Sequence, residues 1–137
     1  MTRVKVIVNP LAGRGHAAQV APEIERELQK LGVAFDLVQT RYAGEAIDLA
    51  RQAAKDGYPV VMAVGGDGTT HEVVNGLLRD GAMGPETCLA CMPAGSGNDF
   101  ALMNGAVADV NAGCRQLVDG HERSIDVGRL TVDGKFT

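Results

Sequence analysis

The sequence predicts a three-layer α/β domain: a mostly parallel sheet with helices on both faces. Three observations carry that expectation. Strand-like and helix-like segments alternate four times along the chain, the pattern of parallel strands joined by helical crossovers. The third strand-like segment, Val60 to Val64, is wholly apolar, as expected of a strand covered on both faces. The two richest glycine loops follow strands directly, and in such sheets ligands sit beyond the carboxyl ends of the strands.

The elements follow in order. Residues 4–9 are a run of mainly β-branched residues and read as a strand. Residues 17–31 read as a helix. Val20, Ile24, Leu28 and Leu31 share one face, with Glu23, Arg26, Glu27 and Lys30 mainly on the other. Gly32 stands where a helix-ending glycine belongs. Val33 to Thr40 is a second strand. A second helix runs from about Gly44 to Asp56, with Ile47, Ala50 and Ala54 facing inward and Gly57 as its stop. After the apolar third strand come Gly65-Gly66-Asp67-Gly68-Thr69 and a helix from about Thr70 to Arg79, with Thr69 or Thr70 placed to cap it. Residues 87–92 form a fourth strand, followed by Pro93-Ala94-Gly95-Ser96-Gly97-Asn98-Asp99. A short helix near 99–103 and a longer one near 107–119 complete the pattern, closed by Gly120. From Ser124 the character changes to short β segments, with Asp133-Gly134 as a hairpin turn. Residues 1–123 are therefore expected to form the α/β domain. Residues 124–137 are expected to begin a β-rich second domain that is truncated in this chain.

Composition excludes several classes. The 137 residues suit one domain of typical size. With 45% hydrophobic and 22% charged residues the chain is too apolar for a disordered one. No apolar run approaches the ~18 residues of a membrane span. The opening strand is too short for a signal-peptide core, so the expected compartment is the cytoplasm. A net charge of −4, two Tyr, three Phe and no Trp argue against a nucleic-acid partner. Cys88 and Cys91 form a Cys-x-x-Cys, but they lie on opposite faces of a strand and no second pair completes a zinc site. They read as small core residues.

Glycine is in excess, at 18 residues, and it clusters in loops. A glycine turn between a strand and a helix presents backbone N–H groups at the positive end of the helix dipole, which suits phosphate. Gly65 to Thr69 fits well and Gly95 to Asn98 nearly as well. Two such loops side by side suggest a polyphosphate. Asp67 and Asp99 then look misplaced, because carboxylates repel phosphates. A divalent cation between them removes the conflict and points to a magnesium nucleotide. The alternative is that both aspartates simply cap turns. A Walker A loop is absent. Gly13-Arg14-Gly15-His16-Ala17-Ala18 matches the dinucleotide fingerprint Gly-x-Gly-x-x-Ala, with Asp36 downstream. However, Asn9-Pro10-Leu11-Ala12 intervenes where that turn should be tight.

Taken together, the segments resemble the diacylglycerol kinase catalytic-domain family of lipid kinases, which includes bacterial lipid kinases, sphingosine kinases and ceramide kinases. Asn9-Pro10-Leu11-Ala12-Gly13 resembles its first motif. Gly65-Gly66-Asp67-Gly68-Thr69, with Glu72 and Val74-Asn75-Gly76, resembles its central signature, and Pro93 to Phe100 its third. Gly-Gly-Asp-Gly is shared with NAD kinases, whose N-terminal domain has a similar fold. Three motifs in order are more specific.

The resemblance implies transfer of the γ-phosphate of ATP to a lipid hydroxyl such as that of diacylglycerol. It implies that Asn9, Pro10, Gly13, Thr40, Gly65, Gly66, Asp67, Gly68, Thr69, Glu72, Gly95, Ser96 and Asn98 bind the nucleotide. It also implies that Asp67, Asp99 and Asp126 join a water-bridged Mg2+ network. Ser96 stands where Thr is usual, keeping the hydroxyl. His71 stands where Asn is common and reads as a surface or pocket-rim residue. The family's catalytic base and direct metal ligands lie in a second domain, so no catalytic residue is expected up to Thr137. Peripheral contact with the inner membrane surface is implied only by the family, and a homodimer is compatible with it. Alternatives are a NAD kinase-like small-molecule kinase domain, a dinucleotide-binding module and a non-catalytic regulatory domain.

Overall fold

The structure is a computed structural model. It describes residues 3–78, 87–120, 122, 124, 125, 127, 128, 131, 132, 135 and 136. Four parallel strands form the main sheet: β1 (Arg3–Val8), β2 (Ala34–Gln39), β3 (Val60–Gly65) and β4 (Cys88–Pro93), in the order β2-β1-β3-β4. The helices between them are α1 (His16–Lys30), α2 (Glu45–Lys55) and α3 (Asp67–Leu78), with α4 (Asp99–Met103) and α5 (Val110–Asp119) after β4. A separate antiparallel pair, β5 (Thr131–Val132) and β6 (Lys135–Phe136), is the expected hairpin. Its Asp133-Gly134 turn lies outside the described residues.

The period-2 alternation of the strands builds two cores. Val4, Val6 and Val8 of β1, with Met62 and Val64 of β3, face Val20, Ile24 and Leu28 of α1 and Cys114 of α5. Ile7, Val61 and Ala63 point the other way, onto Ala46, Ala50 and Ala53 of α2 and Val73 and Leu77 of α3. The alanine stripe on α2 lets α3 approach closely. A Cβ at Gly76 would overlap the Ile47 carbonyl and lie 2.9 Å from the Ala50 Cβ.

Two features differ from the sequence expectation, one a helix boundary and one the burial of two cysteines. Helix α3 begins at Asp67, not Thr70, because the Gly66 carbonyl already accepts the Thr70 N–H at 3.1 Å. Thr69 is thus inside the helix, buried under Gly65, and caps nothing. Cys88 and Cys91 are half-buried rather than core residues, since β4 has no strand on its outer side among the described residues. A cavity of about 740 Å3 runs along that edge, lined by Leu77, Leu89, Cys91, Phe100, Leu117 and others.

The amino-terminal half of the sheet is closed by a polar cluster. Asp36 accepts from Arg3 Nη2 at 2.6 Å and from the Tyr58 hydroxyl at 2.5 Å, and Arg3 lies 4.5 Å from the Tyr58 ring centroid. The Tyr58 hydroxyl, then Arg3, hold the Asp36 carboxyl below the usual carboxylate range, and Asp36 pushes the Tyr58 hydroxyl up.

Two outcomes are expected. Gly76→Ala should destabilise the domain by about 1–3 kcal/mol in urea unfolding, overpacking of a backbone contact outweighing better helix propensity. For Asp36 the folded pKa is depressed, so its stabilisation is full above the unfolded value of about 4 and is lost as pH falls through the folded one. The Tm gap between the wild type and Asp36→Asn should therefore be steady near neutrality and close in acid.

Candidate functional site

The chain visits β2 on one side of β1, then crosses to β3 on the other. This reversal makes the carboxyl ends of β1 and β3 the topological switch point, where parallel α/β sheets hold ligands. The sheet ladder continues past the strand ends. Thr40 N–H donates to Val8 O at 2.8 Å, Asn9 N–H to Val64 O at 3.0 Å and Ala94 N–H to Gly65 O at 2.9 Å. These bonds line up the segments at Thr40, Asn9, Gly65 and Ala94 along one edge.

Each loop is then shaped locally. Asn9 Oδ1 accepts the Leu11 N–H at 3.1 Å, making an Asx turn that leads through Pro10 to Gly13. Gly13 abuts the next loop but one: a Cβ there would overlap the Ala94 carbonyl. Gly66 and Gly95 meet backbone to backbone, and a Cβ on Gly95 would overlap Gly66. Asn98, at φ 61°, accepts the Gly95 N–H and donates to the Gly95 carbonyl, both at 2.9 Å. With Asn98 so engaged, α4 is capped from outside. Asp67 Oδ2 accepts the Asp99 N–H at 3.1 Å and Oδ1 the Phe100 N–H at 3.0 Å.

The structure therefore gathers Asn9, Pro10, Gly13, Thr40, Gly65, Gly66, Asp67, Gly95 and Asn98 at one edge. Gly68 in the first turn of α3, Ser96 in the loop after β4 and Asp99 at the start of α4 are exposed, and Thr69 is buried. Glu72 has a different partner from its neighbours in the motif: its Oε1 accepts the Gly44 N–H at 2.9 Å, at the start of α2. Asp126 lies outside the described residues. His71 is exposed, with Asn75 Nδ2 3.2 Å from its Nε2. None of residues 9–13, 65, 66 or 94–98 lines the cavity along β4, so that cavity is not the glycine-loop site, although Asp67, Thr70 and His71 touch it.

One residue escaped the sequence reading. Glu45 is 4% exposed, the one buried charged residue among those described. It accepts the Arg41 N–H at 2.7 Å and pairs with the Arg41 guanidinium at 2.6 and 3.0 Å. Hydrogen bonds from Arg41 hold its carboxyl below the usual range. An acid in a first helical turn was the available signal, but it looks like any dipole-compensating carboxylate.

The residues present fit a cation held through water better than one held directly. No three His, Cys, Asp or Glu side chains cluster to hold a metal among the described residues. Asp67 gives one lone pair on each oxygen to a backbone N–H and keeps the rest. The dinucleotide fingerprint loses its acid: Asp36 sits in mid-strand, engaged by Arg3 and Tyr58, not at the carboxyl end of β2.

A parallel sheet with glycine loops aligned at its switch point defines the class, an α/β domain of the kind that offers backbone N–H groups to an anion. The chain belongs to the diacylglycerol kinase catalytic domain family, whose model matches residues 3–130. It is 31% identical over 128 residues to a diacylglycerol kinase of Staphylococcus epidermidis, covering 93% of this chain and 40% of that protein. It is 31% identical over 137 residues to the diacylglycerol kinase of Bacillus subtilis strain 168, covering 99% of this chain and 44% of the relative. The fold matches the crystal structure of a diacylglycerol kinase from Bacillus anthracis str. Sterne. The TM-score is 0.77 and the identity 25%, over 98% of this chain and 47% of the other. The chain thus spans less than half the length of these relatives.

Asp67→Ala should free the Asp99 and Phe100 amides. Their hydrogen exchange should quicken, with about 1 kcal/mol of stability lost, as for other helix caps. Unchanged exchange at both amides would remove the capping role.

Proposed function

We propose that the chain is the ATP-binding domain of a lipid kinase that transfers the γ-phosphate of ATP to a lipid hydroxyl such as that of diacylglycerol. The observation that carries this reading is the contact between the two glycine loops. Gly66 and Gly95 touch through their backbones, so the start of α3, whose first N–H groups have no partner within the helix, adjoins the loop after β4. Two adjoining cradles suit a chain of phosphates better than a single anion. Membership in the diacylglycerol kinase family supports a nucleotide as the donor and a lipid as the acceptor.

In this reading the Gly65–Thr69 and Gly95–Asn98 loops hold the phosphates through backbone N–H groups, other than that of Gly95, which Asn98 Oδ1 already accepts. The Asn9–Gly13 loop and Thr40 flank them on the β1 and β2 side, and Ser96 offers its exposed hydroxyl. Asp67 and Asp99 hold water around Mg2+, and Asp126 belongs to the same set. Mg2+, when bound, supplies positive charge against the phosphate oxygens. In the transfer, the bond from the γ-phosphorus to the β,γ-bridging oxygen breaks and a bond to the lipid oxygen forms. The hydroxyl proton passes to an acidic base contributed by polypeptide beyond Thr137.

Among the described residues no helix is long and apolar enough to cross a membrane. The reading places the protein in the cytoplasm, reaching its lipid by peripheral contact with the inner membrane surface.

Isothermal titration separates the readings. The chain should bind Mg-ATP, and NAD more weakly. Gly95→Ala, which drives the loops apart, should weaken Mg-ATP by roughly tenfold or more, about 1.4 kcal/mol. Tighter binding of NAD than of ATP would favour the dinucleotide module. With diacylglycerol and Mg-ATP the 137-residue chain alone should show no turnover, and turnover would show that the base lies within it.

A further inference from the structure

The connection from β2 to α2 is unusually well tied for a surface loop. Four backbone N–H groups between Thr40 and Glu45 are bonded. Thr40 donates to Val8 O at 2.8 Å, Arg41 to Glu45 Oε1 at 2.7 Å, Gly44 to Glu72 Oε1 at 2.9 Å and Glu45 to Tyr42 O at 3.2 Å. Two of the four acceptors are carboxylates, and they come from different helices.

Glu45 is the less expected of the two. A buried carboxylate is costly unless donors surround it. Here one backbone and two guanidinium N–H groups do so, while the Arg41 side chain itself is 78% exposed. The arrangement buries an acid to fix a main-chain segment, and the segment it fixes carries Thr40 next to Asn9. Glu72 ties the far end of the same segment to α3, the helix that opens on the central glycine loop.

We propose that Glu45 is a positioning residue for the nucleotide site. Its Oε1 holds the Arg41 N–H, and so holds Thr40 in place at the β1 side of the phosphate loops before any ligand arrives. The inference rests on the nucleotide reading above. Its physical content is preorganisation: a loop already ordered does not lose that entropy on binding. Glu45 touches neither phosphate nor metal. Its reach matters, not its charge.

Three variants of Glu45 test this, read by Mg-ATP titration and by hydrogen exchange at the Arg41 amide. Glu45→Asp keeps the charge at the start of α2 but is one methylene short of Arg41. Glu45→Gln keeps an acceptor oxygen at the original reach and loses the charge. Glu45→Ala loses both. Asp and Ala should quicken exchange at Arg41 and weaken Mg-ATP about tenfold, the scale of one well-placed hydrogen bond. Gln should stay within about threefold of wild type in both readouts.

Unchanged affinity in Glu45→Asp despite faster exchange would overturn the proposal, leaving Glu45 a purely local brace. So would Glu45→Gln as weak as Glu45→Asp, since charge would then be what counts. If Glu45→Ala does not fold, the Asp and Gln pair decides. A wild-type chain that binds no Mg-ATP would overturn the nucleotide reading itself, and this inference would fall with it, whereas protection of the Arg41 amide would still be measurable.

Discussion

The parallel register of β1 with β3, Val8 beside Val64, is the constraint on which the rest of the site depends. Strands in register end together, so their loops leave the sheet at the same level. One further ladder bond beyond each strand end, from Asn9 to Val64 and from Ala94 to Gly65, extends that alignment into the loops. Backbone can then meet backbone at Gly66 and Gly95, where no side chain larger than hydrogen fits between the loops without displacing them. A site made of main-chain groups requires that the main chain be placed by something stiffer than a loop. The sheet ladder does this.

The acidic residues then find a common explanation. An acid near a phosphate cradle looks self-defeating, yet Asp67, Glu72 and Glu45 all point at backbone N–H groups. Asp67 joins α3 to α4, Glu72 joins α3 to α2, and Glu45 closes the turn between β2 and α2. Each carboxylate takes partial positive charge from the groups it binds, and two of them do so at helix starts where the dipole adds to it. The same residues that tie these helices and turns together thus meet part of their own charge through bonds within the protein. Asp67 keeps lone pairs free for water around a cation, so its structural role and its proposed metal-linked role are compatible.

Much of the fold was legible because its signals are local. Helical spacing of Val20, Ile24 and Leu28, the unbroken apolar run of β3 and the glycines after each strand all act within a few residues. Every strand and helix of the sheet layer stands within a few residues of its expected place. One difference has a local cause and the other does not. Helix α3 starts three residues early because Gly66 can lend its carbonyl to Thr70 at once. The cysteines are half-open because β4 lies at the edge of the sheet, and strand order is a property of the assembled layers rather than of the strand's own residues.

The candidate site divides in the same way. The sequence by itself marked Gly65 to Thr69 and Gly95 to Asn98 as candidate anion-binding turns, since glycine turns after strands are a local grammar with a direct physical meaning. It also marked Asp67 as a residue needing explanation. What each side chain does was decided only by the tertiary structure. Asp67 meets Asp99 and Phe100 across more than thirty positions, and Glu72 meets Gly44 across 28. Glu45 gave no distinctive signal at all, because burial depends on what packs around a residue. Hydrogen bonds between loops are fixed by where the sheet sets those loops down, and the sheet forms from contacts that no short window of sequence contains.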